Sequence, residues 1–124
     1  MQRRVRSALA TPIIGMVKEL NKYLIEKSGQ LHKKLQHNYA DGMLKDGALL
    51  FKYAMRQLQG KDYKKRTMEL LEEIQSNAYF LLAIGGWNEK TAAYIDKICD
   101  DIAENMSRMR NAANAGTTTP TGQE

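Results

Sequence analysis

The chain has 124 residues, which fits one domain around one modest core and is too short for two. Its formal net charge of +5 suits an anionic partner without requiring one, plain solubility being the alternative. No stretch reaches the roughly 18 apolar residues of a membrane span, and a single cysteine, Cys99, excludes an intramolecular disulfide; a reducing, cytoplasmic setting with no membrane is expected.

Only two prolines occur, Pro12 and Pro120, so nothing between them removes a backbone donor, and long helices are permitted. Period-two alternation never persists, which argues against strands. The start carries Arg3, Arg4 and Arg6 without an acid but has no apolar stretch behind them, so it does not read as a targeting peptide. Residues 1–10 are read as a basic N-terminal segment, 11–112 as the folded bundle, and 113–124 as a disordered tail of small polar residues.

Thr11 and Pro12 form an N-cap and first-turn pair that starts helix one, and Ile13, Val17, Leu20 and Leu24 place one apolar stripe on it until Ser28-Gly29. Helix two starts within residues 30 to 36 and ends at Gly60, with Leu35, Tyr39, Met43, Leu50, Ala54 and Leu58 on its stripe. Gly42 and Gly47 inside it point to a close helix crossing or a kink. Helix three runs from Asp62, as N-cap, to Ile84, with Leu71, Ile74, Ala78 and Leu81 inward and Gly85-Gly86 ending it. Helix four is capped by Asn88 and carries Ile95, Ile98, Ile102, Met106 and Met109 in a heptad-like seam. Short connections between such helices predict an all-α, antiparallel up-down-up-down four-helix bundle.

Catalytic and metal chemistry find no support. His32 and His37 do not share a helical face, and Cys99 lies on another helix, so no metal-ligand spacing is visible. Glu72-Glu73 and Asp100-Asp101 are adjacent pairs that diverge on a helix and read as solvated faces. No nucleophile elbow, phosphate loop or dinucleotide fingerprint occurs, so no enzyme activity and no cofactor are expected.

In an up-down bundle, the starts of helices one and three share a pole with the ends of helices two and four. That pole collects Arg3, Arg4, Arg6, Arg56, Lys61, Lys64, Lys65, Arg66, Arg108 and Arg110, against the nearby acids Asp62, Glu69 and Glu104. Lys64, Lys65 and Arg66 fall in the first turn of a helix, where the dipole disfavours cations, so stability alone does not place them there. Phosphate groups suit such a pole, which would give salt-dependent, largely sequence-independent affinity for RNA or DNA; the alternative is a solvated basic end with no ligand. Tyr63 beside the cluster could stack on a base or pack on the neighbouring helix. Tyr39, Tyr53, Tyr79, Phe80 and Trp87 read first as core or interface. A loop tryptophan rarely buries fully in so small a monomer, which makes Trp87 a candidate oligomer anchor.

From about Leu20 to Met109 the pattern resembles the four-helix-bundle family that holds the accessory variability determinant (Avd) proteins of diversity-generating retroelements and the proteins of ribosomal RNA intervening sequences. The resemblance rests on His32-Lys33-Lys34 at the start of helix two, on the Gly60-Lys61-Asp62 turn, and on the Leu81-Leu82-Ala83-Ile84-Gly85-Gly86 helix end. A polar cap and a tyrosine-bearing helix follow, Asn88 to Ile102 with Tyr94. Leu31 stands where the family is expected to carry a proline, and Tyr79 where it is expected to carry an arginine. The resemblance implies a basic homopentamer that binds a reverse transcriptase and its RNA template in mutagenic retrohoming. A structural or protein-interaction bundle without nucleic-acid function is the alternative.

Overall fold

Pro12 lacks the amide proton that a first helical turn leaves unpaired, and its fixed φ starts α1 (Pro12–Ser28) at the expected position. The computed structural model describes residues 8–109. Thr11 has the extended backbone of a cap, but its hydroxyl donates to the Ala8 carbonyl at 2.7 Å, so the helix start receives no side-chain cap. Ile13, Val17, Leu20 and Leu24 are buried as the stripe requires, joined by Ile14. Gly29 keeps a right-handed φ of −65°, so the turn out of α1 does not use a left-handed glycine.

The second helical rod, α2 over residues 33–58, is continuous but not uniform. Lys33–Leu35 is α-helical, Gln36–Ala40 is a π turn, and Asp41–Leu58 is α-helical again. The π turn inserts an extra residue, so the buried row passes from Leu31 to Ala40, Met43, Gly47, Leu50, Ala54 and Gln57. That shift corrects the expected stripe at Tyr39, which is exposed; Leu35 and Leu58 are half-buried and pack against the core. Gly47 is the close crossing. A Cβ there would lie 2.5 Å from Asn21 Oδ1, and Asn21 Nδ2 donates to the Gly47 and Val17 carbonyls at 3.0 Å each. Gly42 faces open space, so the two glycines do not share a role.

α2 ends through Gly60, whose φ of 94° lets the Lys61 amide donate back to the Arg56 carbonyl at 3.1 Å. The buried Gln57 then takes the Tyr63 amide on its Oε1 at 2.7 Å, holding the loop against the end of α2. This winding moves the start of the next helix past Asp62, which is exposed and caps nothing. α3 (Lys64–Ala83) begins after Tyr63 and buries Thr67, Leu71, Ile74, Ala78 and Leu81. Gly85, with φ of 82°, ends it in the same way, the Gly86 amide donating to Leu81 at 2.7 Å. In α4 (Glu89–Ser107), Asn88 Oδ1 accepts the Thr91 amide at 2.9 Å, as a cap should, and Ile95, Ile98, Cys99, Ile102 and Met106 point inward.

Each helix packs on its neighbours in sequence, and α4 closes against α1. With connections of a few residues, this is the antiparallel up-down-up-down four-helix bundle, with no strand among the described residues. One continuous cluster forms the core, in which each fully buried Leu or Ile contributes about 1.5–3 kcal/mol. Trp87 belongs to it. At 6% exposure, with its indole N–H donating to the Lys27 carbonyl at 3.1 Å, it seals the end of the monomer and is not available as an oligomer anchor. Among the described residues no helix is long and apolar enough to cross a membrane. The basic segment through Ser7 and the expected disordered tail at 113–124 lie outside the described residues.

Candidate nucleic-acid interface

The topology brings the starts of α1 and α3 to the same pole as the ends of α2 and α4. Of the ten expected cations, Arg56, Lys61, Lys64, Lys65, Arg66 and Arg108 are described there; Arg3, Arg4, Arg6 and Arg110 lie outside the described residues. The six do not behave alike. Between residues 56 and 66 the chain places five cations and one acid, Asp62, around one turn.

Tyr63 organises two of them. Its hydroxyl accepts a hydrogen bond from Arg56 Nη1 at 3.1 Å, and the Arg66 guanidinium sits over its ring at 5.1 Å. Its ring also meets Tyr53 of α2 at 5.0 Å. With Tyr53 and the two guanidiniums around it, Tyr63 packs on the neighbouring helix. The phenol is correspondingly easier to ionise than usual: the Arg56 hydrogen bond is the main cause, burial opposes it, and the charges of Arg56, Arg66 and Lys61 assist. Arg66 also borders a groove with Asp46, Glu69 and Glu73, so acids answer part of its charge. There, burial and then the charge of Glu73 hold the Asp46 carboxyl above its ordinary value.

Arg108 pairs with Glu104 at 3.7 Å. Among the described residues Lys61, Lys64 and Lys65 make no ion pair. They stand beside the start of α3, which has no side-chain cap and no acid in its first turn. α1 starts at the same pole in the same condition. At the opposite pole the starts of α2 and α4 are both capped, by His32 Nδ1 and Asn88 Oδ1, and α4 adds Glu89 in its first turn. Among the described residues the basic pole therefore presents helix starts without a side-chain cap and with lysine charges around them, the kind of helix end at which an anion is favoured.

No group of three or more His, Cys, Asp or Glu is placed to hold a metal among the described residues. His32 is spent as a cap, and His37 lies 3.7 Å from Asp41 on an exposed turn. Cys99 is buried, and that burial, with Asp96 and Asp100 nearby, pushes its thiol up to about 12.

A surface that the charge argument missed lies on α3. Tyr79 and Phe80 are exposed, and Phe80 meets the exposed Tyr39 at 5.0 Å. The signal was present in the sequence: Ala78 and Leu81 take the inward positions, so the two aromatics between them must face out. No family model matches the chain, and no curated protein or solved structure matches it.

Proposed function

We propose that this chain is a non-catalytic, cytoplasmic binding protein that holds nucleic acid at its basic pole. Following the resemblance of helices two to four, it serves as a homopentameric accessory of a reverse transcriptase in a diversity-generating retroelement. The observation that supports the nucleic-acid reading is the start of α3: a helix terminus without a side-chain cap or first-turn acid, bordered by Lys61, Lys64 and Lys65, which make no ion pair among the described residues. Contacts of this kind go to phosphates and carry little sequence information. Arg56 and Arg66 support the turn through Tyr63 and contribute less to the ligand.

Fluorescence anisotropy with a labelled single-stranded RNA tests the reading. At about 50 mM salt the protein should bind, and reversal of Lys61, Lys64 and Lys65 to glutamate should abolish binding. Absence of binding, or indifference to the reversal, refutes it. Co-purification with a reverse transcriptase and a native mass of five copies test the retroelement role, and a strict monomer counts against it. The exposed Tyr39–Phe80 pair favours a second reading, a protein-interaction bundle whose charges only maintain solubility.

A further inference from the structure

The outward half of α3 combines two features that solubility does not ask for. Phe80 and Tyr79 are 41% and 50% exposed, Tyr39 is set outside the core by the π turn of α2, and Ile84, one turn beyond Phe80, is 46% exposed. These side chains form a strip, since Phe80 meets Tyr39 at 5.0 Å and Ile84 follows it at a spacing of four. Beside the strip runs α4. Tyr79 lines one groove with Asp96 and Asp100, and Gln75 Nε2 donates to Asp96 Oδ1 at 3.1 Å and Asp100 Oδ1 at 2.9 Å. Among the described residues neither carboxylate has a cation in ion-pair range, although Lys97, one residue from Asp96, pairs with Asp101 at 3.1 Å. Two like charges four apart on a helix repel, and here they stand unneutralised on a chain whose net charge is +5.

We propose that this face, the strip Tyr39, Phe80, Ile84 and Tyr79 bordered by Asp96 and Asp100, docks a cationic amphipathic helix of a partner protein. The helix lays its apolar stripe over the aromatics and sets Lys or Arg from one edge against the two carboxylates, with Tyr79 touching both parts. Charge selects this occupant. Nucleic acid is repelled by the carboxylates.

The test is a titration of isotope-labelled full-length protein with a synthetic Leu/Lys amphipathic helix and with its Leu/Glu counterpart, followed by amide shifts. The Lys peptide should shift signals from the second half of α3 and the first half of α4, and the Glu peptide should not bind. Phe80→Ser and the pair Asp96→Lys, Asp100→Lys should each weaken binding by about tenfold or more, with thermal melts confirming that both variants fold. Charge reversal at Lys61, Lys64 and Lys65 should leave peptide affinity unchanged, which separates this proposal from the nucleic-acid reading. Equal binding of the two peptides, shifts elsewhere on the bundle, full affinity in both variants, or sedimentation showing the face covered by a second copy would overturn it.

Discussion

The two poles of the bundle solve the problem of helix ends in opposite ways. At the pole holding the starts of α2 and α4, the chain answers its own unpaired groups: His32 and Asn88 cap, Glu89 complements the dipole, and Trp87 closes the end against Lys27. At the other pole α1 and α3 start without side-chain caps, and lysines stand where the dipole already carries partial positive charge. One end thus has a side-chain cap on each of its helix starts. Among the described residues the other has none, which is the feature the proposed nucleic-acid contact rests on. Substitutions at the closed pole should therefore cost stability and spare binding, and those at the basic pole should do the reverse.

The largest effect expected is at Trp87. Trp87→Ala removes a buried ring and the donor to Lys27, and chemical denaturation should show a loss of about 3–5 kcal/mol, with RNA affinity unchanged while the protein remains folded. Asn88→Ala exposes the Thr91 amide and should cost about 1 kcal/mol by the same assay. At the basic pole the sign inverts. Lys64→Glu and Lys65→Glu place acids in the first turn of α3 and should each raise stability by about 0.5 kcal/mol while weakening RNA binding. A loss of stability there would break the comparison.

The smallest effect is a pH dependence beside Arg66. Because Asp46 holds its proton more tightly folded than unfolded, it lowers stability as pH rises above 3.8 through its raised folded value, and the cost is full at neutral pH. Asp46→Asn should thus raise stability at pH 7 by a few tenths of a kcal/mol after solvent screening, and should give no gain near pH 3, where both states are protonated. A gain independent of pH would mean that the groove does not strain this carboxylate.

Most of the fold was legible because its signals are local. Pro12, the left-handed glycines of the Gly60 and Gly85 turns, the Asn88 cap and the Ile95-to-Met106 seam each act within a few residues. Where the reading missed, a distant or irregular partner decided. The π turn displaced Tyr39 from the expected stripe, and Gln57 held the Tyr63 amide so that Asp62 could not cap α3. Trp87 found its acceptor on Lys27, which no spacing rule relates to it. The grouping of cations followed from topology alone. Their inequality did not, since only the folded turn shows Arg56 and Arg66 engaged by Tyr63 and Lys61, Lys64 and Lys65 without an ion pair among the described residues.

The most direct test is the slope of log affinity against log salt for a single-stranded RNA, measured on the unaltered protein and on a variant with Lys61, Lys64 and Lys65 changed to glutamine. If these three lysines each neutralise a phosphate, the slope should shrink by about 2 in the variant, at about 0.7 per contact. A salt-independent affinity in the unaltered protein, or the same slope in both, would contradict the account.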